Sequence, residues 1–99
     1  MSTKNITVVA SLQAKPGREA ELKHLLQSLL EPTRKERGCL QYELHVSPTQ
    51  PEKFLFLETW ASQEALDAHL KSPHLTAALP HATEWCAVAP GIEFWEKVA

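Results

Sequence analysis

Apolar residues follow two different periods along this chain, and the changes of period divide it into strands and helices. The pattern predicts four strands, over residues 5–14, 39–47, 53–60 and 92–98. The second alternates apolar with polar residues, as expected of a strand with one buried face. The third, KFLFLETW, places Phe54, Phe56 and Trp60 on one face and Leu55 and Leu57 on the other. A strand that is apolar on both faces should be covered on both.

Leucines at helical spacing predict a first helix over residues 18–37. Gly38 suits the position just after a helix end, because glycine adopts left-handed backbone angles at little cost. Pro32 is the exception within the segment. It has no N–H to donate, so it should kink the helix or divide it.

A second helical region follows the third strand. It should begin at Ser62, whose hydroxyl can cap the first turn, and run to about Lys71. Pro73 interrupts it, and a further helical piece is predicted from about residue 74 to about residue 83. The resulting order is βαββαβ. This is the ferredoxin-like α+β fold, a four-stranded antiparallel sheet with its helices on one face.

The other face of such a sheet would be bare in a monomer. The predicted strands carry more large apolar residues than one face needs, and an uncovered apolar sheet is a liability or an interface. We therefore expect a homodimer in which the second sheet faces cover each other. A cavity between the sheet and the helices is also expected.

Composition narrows the class of protein. With 99 residues, 43% of them hydrophobic and 22% charged, the chain should form one soluble domain over residues 1–99. The net charge of −2 gives no reason to expect nucleic acid as a partner, and no apolar run is long enough for a membrane. The N-terminal segment lacks a signal-peptide pattern, so a cytoplasmic location is expected. Cys39 and Cys86 lie in no paired motif and are interpreted as free thiols.

Three segments, in this order and at this spacing, carry a family resemblance: ITVVASLQAKPGREAEL, ERGCLQYEL and FLFLETWASQEALDAHLKSPHL. Together they resemble the antibiotic-biosynthesis monooxygenase (ABM) family, a group of small, quinol-monooxygenase-like, dimeric α/β-barrel proteins. The resemblance covers about residues 6–98. It implies a dimeric α/β barrel and a small-molecule pocket, in which Ala10, His74 and Leu79 are expected to contact the substrate along with the residues below.

The family is chemically mixed. Some members are monooxygenases that use no cofactor and oxidise hydroquinone-like or polyphenolic substrates with O₂, others degrade haem, and one branch isomerises a phosphorylated dione. The haem branch has an Asn, a Trp and a haem-ligating His at three positions where this chain has Ala10, His69 and Leu79. The resemblance therefore argues against haem degradation, and no cofactor is expected.

The candidate catalytic residues are His69 and Glu58. His69 is a candidate base, because an unperturbed imidazole titrates near neutral pH. Glu58 is expected to orient the imidazole and stabilise its charged form. Trp60, Phe54 and Phe56 are predicted to form a flat apolar wall against the substrate ring. Tyr42, on the neighbouring strand, is predicted to hydrogen-bond a substrate oxygen.

Structural roles are open for the same residues. Trp60 and Tyr42 are also explained as core or interface residues. Glu58, on a strand that is otherwise apolar, needs a partner, which an ion pair or a helix cap would supply.

A metal site is not predicted. His69, His74 and His81 are spaced by five and seven residues with Pro73 between them, and the chain contains no HExxH motif. Cys39 has no activating motif nearby and is interpreted as an inert thiol.

The sequence thus predicts a cofactor-independent monooxygenase acting on a quinol-like or polyphenolic molecule with O₂. Two alternatives stay open. One is an acid–base isomerase of a small carbonyl compound, suggested by Pro73-His74, which that branch of the family shares. The other is a dimeric barrel that binds a small ligand without catalysis.

Overall fold

The structure, a computed structural model, describes residues 5–99. Its elements are β1 (Ile6–Gln13), α1 (Glu19–Ser28), α2 (Leu30–Arg34), β2 (Cys39–Val46), β3 (Lys53–Trp60), α3 (Gln63–Leu70), α4 (Pro73–Trp85) and β4 (Gly91–Trp95). The four strands form one antiparallel sheet in the order β2-β3-β1-β4. The predicted ferredoxin-like α+β fold is confirmed. Among residues 5–99, no helix has the length and apolar character needed to span a bilayer.

The predicted helix over residues 18–37 is divided, as Pro32 indicated. α1 ends at Ser28 and α2 begins at Leu30, so the break lies one turn before the proline. Pro32 has no N–H for the carbonyl of Ser28, four residues earlier, which is the carbonyl an unbroken helix would have bonded. The segment beyond Arg34 is a turn that leads into β2, so the predicted helix was too long at its end.

The end of the chain also differs from the prediction. β4 ends at Trp95, whereas the apolar pattern predicted a strand to residue 98. At its start, Gly91 pairs with Ser11 of β1. The pairing of β4 with β1 ends at Trp95 and Thr7, and residues 96–98 follow it outside the strand.

One row of side chains crosses the sheet beneath the helices. Tyr42 of β2 pairs with Glu58 of β3, Glu58 pairs with Val8 of β1, and Val8 pairs with Phe94 of β4. Directly opposed residues project from the same face of a sheet, so this row carries a phenol and a carboxyl group among apolar neighbours. The first three side chains of the row are buried, and Phe94 at its end is 63% exposed.

Gly38 fixes the path of the chain from α2 into β2. Its φ angle is +84°, and a Cβ atom on it would lie 2.5 Å from the Cβ atom of Ala65 in α3. Its carbonyl oxygen accepts a hydrogen bond of 2.8 Å from the backbone N–H of Ala61. The turn that holds Glu36 is thereby fixed against the start of α3.

Candidate functional site

A cavity of about 220 Å³ lies between the sheet and the helix layer. Its walls are mostly aliphatic and aromatic, as in most small-molecule sites. Its lining comprises Val8, Ala10, Leu12, Leu26, Leu29, Tyr42, Phe56, Glu58, Leu66, His69, Leu70, Leu75, Ala78, Leu79, Ala82, Pro90, Ile92 and Phe94. Three of these side chains carry a polar group: Tyr42, Glu58 and His69.

His69 reaches the cavity from the last turn of α3. That helix begins at Ser62, whose hydroxyl oxygen accepts a 3.1 Å hydrogen bond from the N–H of Ala65, as the sequence predicted for its cap. His69 is 3% exposed, although histidine is polar. Burial lowers the pKa of the imidazole, and the hydrogen bond and negative charge of Glu36 oppose that shift.

Glu36 is the carboxylate that orients His69. Its Oε2 atom lies 2.8 Å from Nδ1 of His69. An ionised carboxylate can only accept, so the imidazole donates from Nδ1. In a neutral ring the other nitrogen, Nε2, then carries the lone pair. The contact therefore selects the tautomer that can act as a base through Nε2.

His74 contacts the same carboxylate oxygen. Its Nε2 atom lies 2.7 Å from Oε2 of Glu36, and the side chain projects from the first turn of α4. Neither Glu36 nor His74 lines the cavity. His69 thus separates an apolar cavity from a polar cluster behind it, which we call the Glu36 cluster (Glu36, His69 and His74).

Trp60 supports the imidazole from the sheet side. Its indole ring stacks on His69 with 4.6 Å between ring centroids and 28° between the planes. Its Nε1–H donates a 2.9 Å hydrogen bond to Oε1 of Glu58. The side chain is fully buried and does not line the cavity, so Trp60 fixes its two neighbours and presents no surface to a ligand.

Glu58 is a buried carboxyl group, 5% exposed. Burial raises its pKa to about 7; the hydrogen bond from Trp60 opposes this shift, and the charge of Glu36 adds to it. The cavity is therefore lined by a carboxyl group with a raised pKa and an imidazole with a lowered one. Such pairs are frequent where proton transfer is catalysed.

Tyr42 completes the polar set. Its ring stacks on Phe56 at 4.7 Å and meets the edge of His69 at 5.5 Å. Burial, followed by the charge of Glu58, raises the pKa of the phenol strongly, and a hydrogen bond with Thr33 opposes this shift, so the hydroxyl stays protonated.

The structure brings most of the predicted site residues to one cavity and leaves three out. Tyr42, Phe56, Glu58, His69, Ala10 and Leu79 line it. Trp60, Phe54 and His74 do not. Phe54 lies at the other end of β3, where its backbone pairs with Leu12 and Val46 and its side chain is part of the core. The predicted aromatic wall is therefore formed by Phe56 with Tyr42.

The predicted pairing of Glu58 with His69 is corrected. Glu58 accepts from the indole of Trp60, and the carboxylate hydrogen-bonded to His69 is Glu36. The error has a physical cause. Glu58 and His69 are close in sequence, whereas Glu36 reaches the imidazole from a turn 33 residues earlier. No periodicity marks such a contact. The local signal in the sequence was an acidic residue, Glu36, two positions before Gly38, the glycine that ends the turn.

The structure also changes the interpretation of the histidines. The ligand atoms of Glu36, His69 and His74 lie within 4.8 Å of one another, close enough to share a metal ion. The spacing of five residues across Pro73 had argued against this pairing. The break between α3 and α4 turns the second histidine back toward the first. His81 is separate, with its ring 5.6 Å from that of Trp85.

A wider depression of about 720 Å³ lies at the other end of the sheet, around the β2–β3 turn and Gly91. Its basic and titratable side chains are His45 and Lys53, both exposed. It contains none of the buried ionisable groups described above.

The antibiotic biosynthesis monooxygenase family model matches residues 5–80. The chain belongs to this family. Rv0793 of Mycobacterium tuberculosis is 39% identical over 72 residues, which cover 73% of this chain and 70% of that protein. The solved structure of Rv0793 superposes with a TM-score of 0.91 over 96% of each chain, at 26% identity.

Two further proteins are similar to this chain over more than two thirds of its length. The Escherichia coli protein named "Probable quinol monooxygenase YgiN" is 30% identical over 83 residues, covering 73% of this chain and 79% of that protein. The uncharacterized protein sll1783 of Synechocystis is 36% identical over 69 residues, or 70% of this chain. That match spans 47%, about half, of the Synechocystis protein's length.

Proposed function

We propose that this protein is a cofactor-independent monooxygenase that oxidises a quinol-like or other small phenolic molecule with O₂, with His69 as the general base. The observation that carries the proposal is the position of His69, which lines an apolar cavity while Glu36 holds its Nδ1 atom at 2.8 Å. Family membership and the quinol monooxygenase name of the Escherichia coli relative support the reaction class.

The size of the cavity fits one substituted aromatic ring. A cavity of about 150 Å³ is enough to hold benzene, and this cavity measures about 220 Å³. Phe56 and Tyr42 supply a stacked aromatic surface, and aliphatic side chains from α4 form the opposite wall. A flat phenolic ring would lie with one hydroxyl toward His69.

The reaction needs no electrons beyond those of the substrate. A quinol and O₂ together hold the atoms of a hydroxyquinone and one water molecule, so one oxygen atom enters the ring and the other leaves as water. The difficult step is electron transfer from a closed-shell phenol to triplet O₂. Removing the phenolic proton through Nε2 of His69 gives a phenolate, which is a better electron donor.

Glu36 and Trp60 act as positioning residues in this proposal. Glu36 selects the tautomer and stabilises the imidazolium that forms when His69 takes the proton. Trp60 holds the ring plane by stacking and is itself fixed by Glu58. Tyr42 donates to a second oxygen atom of the substrate.

Oxygen uptake with a panel of hydroquinones, naphthohydroquinones and anthrone-like phenols tests the proposal. We expect uptake that is stoichiometric with one substrate class and reduced at least about a hundredfold in His69→Ala, the lower end of the range for a general base. His24→Ala is the matched control, since His24 is exposed on α1. Uptake that is equal in the wild type and His69→Ala, or absent across the panel, contradicts the proposal.

An acid–base isomerase is the second candidate, favoured by a specific observation. Glu58 and His69 line one cavity with pKa values shifted in opposite directions, as suits an enzyme that removes a proton at one carbon and returns it at another. Within the described residues the lining has no Lys or Arg, which disfavours a phosphorylated substrate. Turnover of a small carbonyl compound under strict anaerobiosis would support isomerisation over oxygenation. Ligand binding with no turnover in either assay would instead support a binding protein.

We also propose that the chain works as a homodimer. Leu55 and Leu57 project from the sheet face opposite the helices, and Trp95 at the edge strand is 58% exposed. A second copy covering this face would remove those apolar groups from water. Leu57→Glu should yield a monomer in sedimentation analysis, whereas Val46→Glu, at an exposed site on the helix side of β2, should not. A monomeric wild-type protein at micromolar concentration contradicts this proposal.

A further inference from the structure

We propose that the Glu36 cluster is a binding site for one divalent transition-metal ion of the Zn²⁺ type, and that an ion bound there disables His69 as a base. The site lies behind the imidazole, on the side away from the cavity. It is therefore separate from the place where a substrate would bind, and it shares a single side chain with that place.

The geometry needs little change to accept an ion. Nδ1 of His69 and Nε2 of His74 already converge on one oxygen of Glu36, at 2.8 and 2.7 Å. In a tetrahedral zinc site with bonds of about 2.0–2.1 Å, neighbouring ligand atoms lie about 3.3 Å apart. The two contacts would thus open by about half an ångström, and the third distance would have to close to a similar value from within 4.8 Å.

The donors suit a borderline ion. Two imidazole nitrogens and one carboxylate oxygen make the three-ligand set found in open zinc sites, where water takes the fourth position. Imidazole favours Zn²⁺, Cu²⁺ and Ni²⁺ over Mg²⁺ and Ca²⁺, which prefer oxygen ligands throughout. Two of the ligands come from the ends of helices and the third from the turn fixed by Gly38, so the cluster is built on ordered backbone.

The three ligand side chains differ in solvent exposure and in how firmly neighbouring residues hold them. His69 is buried and stacked on Trp60, which holds its ring in place. The side chains of Glu36 and His74 are 16% and 21% exposed, so an ion can reach them from solvent. A site with one immobile ligand and two that can adjust needs little reorganisation to bind.

Binding would reverse the roles of the two nitrogens of His69. Without metal, Nδ1 donates to Glu36 and Nε2 carries the lone pair that acts as the base in the proposed reaction. An ion on Nδ1 requires the lone pair there, so a neutral ring must carry its proton on Nε2. Nε2 then donates a hydrogen bond and cannot accept a proton. This consequence rests on the proposed function, whereas the site itself rests on the cluster alone.

Calorimetric titration with ZnCl₂ and the visible spectrum with Co²⁺ test the site on the full chain. We expect one ion per chain, and affinity reduced at least about tenfold in both His74→Gln and Glu36→Gln. His45→Gln and His81→Gln are matched controls, because both histidines are exposed and outside the cluster, and they should bind as the wild type does. Equal affinity in His74→Gln, or no binding below about 1 mM, overturns the proposal.

The tautomer of His69 can be measured in the wild-type protein. This readout depends neither on an activity assay nor on whether a substituted protein folds. Imidazole ¹⁵N NMR of the wild-type protein should show its proton move from Nδ1 to Nε2 when Zn²⁺ is added. Zn²⁺ should also suppress oxygen uptake, and a chelator should restore it. A site that fills without moving the proton overturns the switch. A proton that moves while turnover continues leaves the metal site standing and removes His69 from the proposed mechanism.

Discussion

Oε2 of Glu36 lies 2.8 Å from Nδ1 of His69, joining the turn after α2 to the last turn of α3. The contact decides which nitrogen of a buried imidazole carries the proton. A carboxylate in this position favours one tautomer and stabilises the charged ring during proton transfer. Its removal should therefore reduce turnover more than it reduces substrate binding.

Glu36→Gln tests this relationship. The amide oxygen can still accept from Nδ1, so the fold should survive, but the charge that stabilises the imidazolium is lost. We expect kcat in oxygen uptake to fall about ten- to a hundredfold, less than the loss of the general base itself would cause, with KM changed less than about threefold. Glu31→Gln is the control, since Glu31 is on the exposed side of α2. A lower kcat in both variants, or a change in KM alone, would argue against an orienting role.

The fold was predictable because its signals are local. Alternation along β3 and the proline at residue 32 each act over a few residues, and both led to the observed elements. The row of Tyr42, Glu58 and Val8 then follows from strand pairing. Contacts of Glu36 depend on how two turns and two helix ends meet across the helix layer, and no short-range pattern encodes that meeting.

Trp60 shows where the same reasoning misplaces a side chain. Alternation correctly put it on the same face as Phe54 and Phe56, which is the buried face of the strand. Whether an aromatic ring on that face touches a cavity or another ring depends on what packs above it, and here it is His69 that does so. The sequence therefore predicts which face of a strand a side chain lies on, but it does not predict which side chains pack against that face.

Glu58→Gln should change how stability depends on pH. The pKa of Glu58 in the folded state is about 7 against 4.5 unperturbed, so the folded protein binds the extra proton between these values. Stability from this group is thus highest at low pH, falls as pH rises from about 4.5 to about 7, and is level above that. Gln cannot ionise, and its amide oxygen can still accept from Trp60.

Urea unfolding at pH 4.5 and pH 8.5 measures the effect. The free energy of unfolding of Glu58→Gln, minus that of the wild type, should increase by at most about 3 kcal/mol from pH 4.5 to pH 8.5, since a pKa unit corresponds to about 1.4 kcal/mol. Glu43→Gln is the matched control on the neighbouring strand, where the side chain is half exposed. The free energy of unfolding of Glu58→Gln is subtracted from that of the wild type at each pH. If this difference does not fall between pH 4.5 and 7, Glu58 ionises at its ordinary pKa and the prediction is wrong.

Trp60→Phe should raise the pKa of Glu58 further. Within residues 5–99, the hydrogen bond that favours the ionised carboxylate comes from the indole N–H, and phenylalanine keeps an aromatic ring but has no donor. The ¹³C resonance of the Glu58 carboxyl carbon, followed through a pH titration, should move its midpoint above the wild-type value. An unchanged midpoint would mean that water or another donor replaces the indole.

Gly38→Ala should be more destabilising than Gly17→Ala. Both glycines have φ near +85°, at +84° and +86°, so each substitution introduces similar backbone strain. Only Gly38 has a close neighbour, because its new Cβ would lie 2.5 Å from Cβ of Ala65, whereas nothing lies within 4 Å at Gly17. We expect the free energy of unfolding to fall by about 1 kcal/mol at Gly17 and by about 2–4 kcal/mol at Gly38.

A double-mutant cycle with Ala65→Gly identifies the cause of that difference. Removing the methyl group of Ala65 should recover part of the loss in Gly38→Ala, although glycine in α3 costs about 1 kcal/mol by itself. No coupling between the two substitutions would attribute the loss to backbone strain alone.

Ala78→Leu should fill the cavity and reduce turnover while the fold persists. Ala78 lines the cavity from α4 and is 5% exposed, so three extra carbon atoms must enter the space that a substrate ring would use. We expect kcat/KM to fall at least about tenfold, because overlap with bound substrate costs more than about 1.4 kcal/mol. Ala77→Leu adds the same atoms to the exposed side of the same helix and should leave kcat/KM within about twofold. If both variants turn over substrate at the wild-type rate, the substrate binds elsewhere, and the wide depression around His45 and Lys53 becomes the next site to test.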